Sequence, residues 1–344
     1  MKEYNVAILG ATGLVGQEFI KVLEQRHFPV ASIRLLASDR SAGRKMLVKK
    51  QELEVEEATP ESFRGIDIAL FSAGADISRH FSPMAAQSGA VVVDNSAAFR
   101  MDKNVPLVVP EVNPEDIQWH HGIIANPNCS TIQMVVALFP LHKVNPIKRV
   151  VVSTYQSVSG TGSAALEELR LQAKQVLDGQ ATLPHVYPHQ IAFNLLPEID
   201  VFLDNGYTRE ERKMFEETRK IMHADEILIS ATCVRVPVFV SHSEAVSVEF
   251  SQPMPMDEAM RVLSEAPGVR VLDDNSISLY PQPWSAAGTD DVFIGRIRQD
   301  VSHPNGLVMW IVADNIRKGA ALNAVQIAEE MVKRDWVKPQ GGQK

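Results

Sequence analysis

Only two cysteines, Cys129 and Cys233, occur in the 344 residues. Two thiols are too few for a disulfide framework or a structural zinc site, so any importance of either must come from reactivity. The chain also lacks an apolar run of the ~18 residues that a membrane helix needs. Nor does it carry an excess of positive charge, its formal net charge being −8. Without a basic field no counterions are released from a polyanionic backbone, which argues against nucleic acid as the main partner. The N-terminus leads into an apolar stretch, Val6 to Leu9, without the basic region and long apolar core of a signal peptide, so a cytoplasmic location is expected. What remains is an ordinary globular composition, 45% hydrophobic and 22% charged, at a length that suits two domains.

In the first part of the chain short β-branched runs alternate with amphipathic stretches. Val6–Leu9, Ser32–Ala37, Ile66–Phe71, Ala90–Asp94 and Gly122–Ala125 read as strands, with helices at Leu14–Gln25 and Pro83–Ser88. That alternation predicts an α/β domain with a parallel, doubly wound, Rossmann-like sheet. Past residue 146 longer strands appear, at Arg149–Tyr155, Ala245–Phe250, Val292–Arg298 and Leu307–Ala313, many with period-2 alternation. They predict a second, α+β domain with a mixed or antiparallel sheet. A last helix is expected over about Ala320–Trp336, before a Gly/Gln/Lys tail.

Three glycines, in Gly10-Ala11-Thr12-Gly13-Leu14-Val15-Gly16, fall at the first strand-to-helix junction, where they permit a tight turn and let the backbone approach a pyrophosphate. After the second strand, Ser38, Arg40 and Ser41 suit a 2′-phosphate, with Arg44 or Lys45 adding charge, which favours NADP. Asp39 in the same stretch would suit NAD instead.

Asn126-Pro127-Asn128-Cys129-Ser130-Thr131 stands between an apolar strand and an apolar helix expected over Ile132–Leu141. Ser130 or Thr131 can cap that helix, which leaves Cys129 where the helix dipole and free N–H groups stabilise a thiolate. The same N–H groups suit an oxyanion on a carbon bonded to the sulfur. Cys233, inside an apolar run, reads as a buried structural thiol. Ten histidines compete to serve such a nucleophile. Most sit at element ends or in loops and read as surface groups. His242 stands apart because it follows a strongly apolar, strand-like run, Val236 to Val240.

Taken with Tyr155-Gln156-Ser157-Val158-Ser159-Gly160-Thr161-Gly162 and Arg235-Val236-Pro237-Val238 leading to His242, these motifs resemble the aspartate-semialdehyde dehydrogenase family, in its order and over nearly the whole chain. The resemblance implies an NADP-binding domain of residues 1–128 with a C-terminal helix of about 314–344, and a catalytic and dimerisation domain of 129–313. It implies that Cys129 is the acyl-accepting nucleophile, His242 the acid/base and Gln156 the group that orients the covalent intermediate. Arg235 would bind the substrate α-carboxylate, Glu217 its ammonium, and Lys220, Arg100 and Asn128 its phosphate. Cofactor contacts would come from Gly10, Thr12, Gly13, Leu14, Val15, Gly16, Ser38, Arg40, Ser41, Ser72, Ala73, Gly74, Ser157, Ser159, Gly160 and Asn323. No metal is expected. The implied reaction is NADPH-dependent reductive dephosphorylation of L-aspartyl 4-phosphate to the semialdehyde and phosphate through a cysteine thioester, in lysine, threonine and methionine biosynthesis, by a homodimer. Two other readings stand beside it, an N-acetyl-glutamyl-phosphate reductase-like enzyme and a non-catalytic NADP-binding paralogue. Glu217 and Lys220 lie in a charge run, Arg209 to Lys220, that ordinarily marks a solvated helix. Arg235 and His242 are an odd number of residues apart, so a flat strand would aim them at opposite faces, and a bend is expected near Val240 and Ser241.

Overall fold

The computed structural model describes residues 2–338. The chain divides into two compact units, Met1–Asn128 with Ala320–Lys344, and Cys129–Gly319. The Gly/Gln/Lys tail lies outside the described residues.

The first unit is built on seven strands, β1 (Tyr4–Leu9), β2 (Val30–Ala37), β3 (Lys45–Val48), β4 (Gln51–Glu57), β5 (Ile68–Phe71), β6 (Val91–Asp94) and β7 (Ile123–Ala125). Their order is β3-β4-β2-β1-β5-β6-β7, and all neighbours run parallel except β3 and β4. The central strands are continuous apolar runs because both faces are covered. Along β1, Val6 and Ile8 enter one core, shared with Phe19 and Leu23 of α1 (Leu14–Gln25) and with Val325 and Ala328 of the C-terminal helix Leu322–Lys333. Ala7 and Leu9 enter the other, with Phe63 and Phe71. Helix α2 spans Ala75–Gln87, two turns earlier than its apolar pattern indicates. Its first half is hidden in the sequence because the one side chain it buries is polar: Ser78 Oγ donates to Asp94 Oδ1 at 2.8 Å. The C-terminal helix is shorter than expected and is entered through a π-helical turn, Arg317–Ala321.

The second unit holds β8 (Ile147–Gln156), β9 (Leu228–Arg235), β10 (His242–Phe250), β11 (Val269–Val271), β12 (Val292–Gln299) and β13 (Gly306–Ala313), in the order β11-β12-β13-β10-β8-β9. The β12-β13-β10-β8 core is antiparallel, and β11 and β9 join its two edges in parallel. Helix α3 (Cys129–Val144) is apolar nearly all round and accordingly buried. It packs on β8, β10, β12 and β13 and against α5 (Arg209–Met222), which in turn covers β9. Helices α4 (Ser163–Leu177) and α6 (Met256–Glu265) complete the unit's main helices. The apolar run Val236–Val240 is not a strand: Pro237 interrupts it, and β9 ends at Arg235 while β10 starts at His242. Among the described residues no helix is long and apolar enough to cross a membrane.

Candidate active site

In the first unit the turn after β1 is a cradle that only glycine can form. Gly10 has φ +86°, and a β-carbon on it would lie 2.3 Å from Ser72 O; one on Gly16 would lie 2.1 Å from Gly10 O. Beside the turn is a cavity of about 400 Å³, walled by Gly10, Thr12 and Gly13, by Ser38, Asp39 and Ser41 after β2, and by Ser72 and Ala73 after β5. Backbone N–H groups opposite small hydroxyl side chains, with α1 starting at Leu14, form a surface that suits a dinucleotide. Leu14, Val15 and Gly16 continue into the first turn of α1, Gly74 precedes α2 with φ +87°, and Arg40 is exposed. Asp39 accepts the N–H of Arg40 at 2.8 Å, so its carboxylate is engaged in its own turn.

A second feature of this unit is the set of amides around the chain that precedes Cys129. Arg100, buried, donates from Nε to Asn126 O at 2.9 Å and from Nη2 to Asn95 O at 3.0 Å. Asn323, also buried, donates to Asn126 Oδ1 at 2.7 Å and to Val108 O at 3.0 Å. Asn128 is buried as well.

In the second unit, α3 begins at Cys129 itself. Ser130 and Thr131 therefore lie in its first turn and do not cap it, a correction to the sequence reading. The thiol stands at the positive end of the helix dipole and is half-buried. Cys233 is fully buried, and burial raises its thiol well above the usual range.

Strand pairing builds the rest. Gln156 ends β8 opposite Arg235 of β9. The antiparallel register on its other side, Tyr155 with Ser243, sets His242 of β10 beside Gln156. Arg235, Gln156 and His242 thus form one row across three strands, all buried. The odd spacing between Arg235 and His242 is resolved by a break between strands rather than by a bulge, with Ser241 in the left-handed region at φ +75°. His242 Nδ1 accepts the backbone N–H of Ser157 at 3.0 Å. Ser157 Oγ and Ser159 Oγ each lie 3.1 Å from Asn315 Oδ1. Arg235 Nη1 donates to Ser157 O at 2.7 Å, and the guanidinium lies over the Tyr187 ring at 5.9 Å. Arg235 Nε and His242 Nε2 are buried without a partner among the described residues. A β-carbon on Gly160 would lie 3.1 Å from Arg235 Nη1 and 3.4 Å from His242 Nε2, so this glycine keeps both side chains open. Burial, seconded by the charge of Arg235, holds the His242 pKa down at about 3, against the pull of Glu210.

The charge run on α5 is only half solvated. Glu210, Glu211, Met214, Glu217 and Ile221 are buried, while Arg209 and Arg212 are exposed. Glu210 accepts from Gln156 Nε2 at 3.2 Å. Glu217, seven residues on, lies on the same stripe, and half-buried Lys220 follows one turn later. The sequence reading missed Glu210 and Asn315. For Asn315 the available signal was a polar Asp-Asn pair directly after a buried apolar strand.

Other histidines serve local structure. His142 Nδ1 accepts the Ile147 N–H at 3.0 Å, and His223 closes α5 in the left-handed conformation. His120 is buried, contrary to its reading as a surface loop residue, and its Nε2 lies 2.9 Å from Trp336 O.

Residues 5–120 match the semialdehyde dehydrogenase NAD-binding domain and residues 138–318 the semialdehyde dehydrogenase dimerisation domain. The aspartate-semialdehyde dehydrogenase of Aquifex aeolicus is 58% identical over 97% of this chain and 99% of its own length. That of Bacillus subtilis is 52% identical over 97% and 99%. The crystal structure of aspartate semialdehyde dehydrogenase II complexed with ASA from Vibrio cholerae superposes with a TM-score of 0.94 at 47% identity, covering 97% of this chain and 99% of that one. The Candida albicans enzyme with NADP superposes at 0.78 and 28% identity, covering 97% and 99%. With matches of this extent in both units, the chain belongs to the aspartate-semialdehyde dehydrogenase family and is an oxidoreductase with a nicotinamide dinucleotide-binding domain.

Proposed function

We propose that the chain catalyses the NADPH-dependent reductive dephosphorylation of L-aspartyl 4-phosphate to L-aspartate 4-semialdehyde and phosphate, as a cytoplasmic homodimer in the route to lysine, threonine and methionine. The observation that carries this reading is the row Arg235, Gln156, His242, in which a carboxylate-binding fork, an amide and an imidazole are aligned on one sheet face. The Cys129 thiolate attacks the acyl carbon, a carbon–sulfur bond forms, and the bond to the phosphate oxygen breaks. The phosphate takes up one proton as it leaves, with Lys220, Arg100 and Asn128 as its partners. When bound, the reduced nicotinamide supplies a hydride to the thioester carbon. His242 assists at the oxygen of the resulting thiohemiacetal, and its collapse returns the thiolate. Arg235 holds the α-carboxylate and Glu217 the ammonium, while Gln156, itself held by Glu210, orients the acyl group.

For the cofactor, the hydroxyls of Ser38 and Ser41 in the cavity wall and the prior engagement of Asp39 by the Arg40 N–H favour a 2′-phosphate over a free ribose. A single assay tests substrate and cofactor together: semialdehyde and phosphate are mixed with NADP or NAD, and nicotinamide absorbance is followed. Phosphate-dependent reduction of NADP, faster than that of NAD, is expected. No reduction with either would leave a nucleotide-binding protein without this chemistry.

A further inference from the structure

Residues 178–208, between α4 and α5, form no helix or strand of their own. Irregular segments of this length are uncommon in compact domains and usually carry function. Two buried side chains one turn apart on α4 hold this one in place. Glu168 Oε2 accepts the backbone N–H groups of His185 and Val186 at 2.9 and 2.6 Å, and Gln172 Oε1 accepts those of Ile191 and Ala192 at 2.9 and 3.3 Å. Tyr187 stands between the two clamps. Its ring is half-buried against the apolar cluster that includes Val158, Leu169 and Ile191, and its hydroxyl donates to Thr161 Oγ1 at 3.0 Å.

The same segment grips Arg235 twice. Arg235 N–H donates to Leu196 O at 2.8 Å and Leu196 N–H to Arg235 O at 3.0 Å, which ties the main chain. The Arg235 guanidinium carbon lies 5.9 Å from the centre of the Tyr187 ring, so an aromatic face attracts the cation without consuming any of its N–H groups. Ser157 O takes Nη1 at 2.7 Å, while Nε is buried without a partner among the described residues. The edge that carries Nε and Nη2 is therefore the one left for two parallel bonds to a carboxylate. A free arginine side chain loses much rotamer freedom when it is fixed, and here the ring and Ser157 O fix it before any ligand arrives.

We propose that Tyr187 is a positioning residue that fixes the plane of the Arg235 fork for the substrate α-carboxylate, with Glu168 and Gln172 holding the segment that presents it. The arrangement makes the enzyme selective for an aldehyde that carries an α-carboxylate over the same aldehyde without one. This rests on the role given to Arg235 above. Tyr187 takes no part in proton or hydride transfer. It acts through Arg235 on binding that is equal in the ground and transition states, so its loss is read in KM and leaves the chemistry at Cys129 unchanged.

Steady-state kinetics of the full-length enzyme with phosphate and NADP test this on two aldehydes, the aspartate semialdehyde and β-aminopropionaldehyde, which is the same molecule without its carboxylate. Y187L keeps apolar bulk but removes the aromatic face, and E168A releases the N–H groups that set the segment. Each should raise KM for the semialdehyde about 3–20-fold, change kcat less than about twofold, and leave kcat/KM for β-aminopropionaldehyde as in the wild type. Y187F keeps the ring and should stay within about twofold of the wild type on both aldehydes. Wild-type KM in Y187L overturns the proposal, as does an equal loss on both aldehydes, which marks general damage to the site. So does Y187F as impaired as Y187L, since the aromatic face is then not what acts. Should Y187L not fold, E168A decides on the same terms. R235A separates the proposal from the reading beneath it: if R235A keeps the wild-type preference for the semialdehyde, the carboxylate assignment fails and takes the proposal with it. A preference lost in R235A but intact in Y187L removes the role of Tyr187 alone.

Discussion

A methyl group on Gly319 would stand 2.8 Å from Cβ of Cys129 and 3.3 Å from its Cα. The π-helical turn Arg317–Ala321 therefore touches the nucleophile at a place where only hydrogen fits. G319A must displace the start of α3, and a displacement of this kind costs on the order of 10²-fold in turnover. We expect kcat to fall accordingly while circular dichroism and the melting curve report a folded protein. Wild-type turnover would show that the thiol position is not critical.

Removing the sulfur removes the covalent intermediate and leaves the Gly10–Gly16 cradle untouched. C129S and C129A should lose turnover while binding NADPH, by calorimetric titration, close to the wild-type affinity. Substantial reductive activity in C129A would refute the nucleophile assignment.

His242 is neutral in the fold, with its pKa depressed from 6.5 to about 3. The unfolded chain binds that proton as pH falls through 6.5 and the folded chain does not, so stability is lost on acidification across this window, by on the order of a few kcal/mol. Urea unfolding at a series of pH values should show a shallower acid slope in H242N than in the wild type. An equal slope would mean that the ring takes up its proton in the folded state.

Glu244 on β10 is fully buried beside Gln133 of α3, and burial raises its carboxyl well above its ordinary value. Here the sign reverses. Above about pH 4.5 the unfolded chain releases the proton that the folded chain keeps, so this residue costs stability increasingly as pH rises. E244Q, neutral and of the same shape, should be more stable than the wild type at pH 8, with a gap that narrows toward pH 4.5. A gap that widened on acidification would mean an ionised, paired carboxylate.

What was legible in the sequence was what is local. The glycine turn, α1 and the placement of Cys129 at a helix start are each decided within about a dozen residues, by backbone sterics and helix-end electrostatics. The polar half of α2 was illegible because Ser78 and Ser82 are buried, Ser78 against Asp94 of β6, and periodicity does not register buried hydroxyls. The row of Arg235, Gln156 and His242 depends on β8 lying between β9 and β10, a non-local pairing that only the family motif carried in advance. Glu210 could not be read, and Asn315 showed only as a polar residue after an apolar strand, because their partners are Gln156 and Ser157, 54 and 158 positions away. The apolar run Val236–Val240 misled as a strand because hydrophobicity says nothing of the backbone, which Pro237 and Ser241 turn away from the ladder.

The thioester is accessible in one experiment. With semialdehyde and NADP but no phosphate, acylation of the enzyme should stop after one NADPH per chain, and mass spectrometry of the quenched protein should place a single aspartyl group on the peptide containing Cys129. Steady turnover without phosphate, or an acyl group on any other residue, would contradict it.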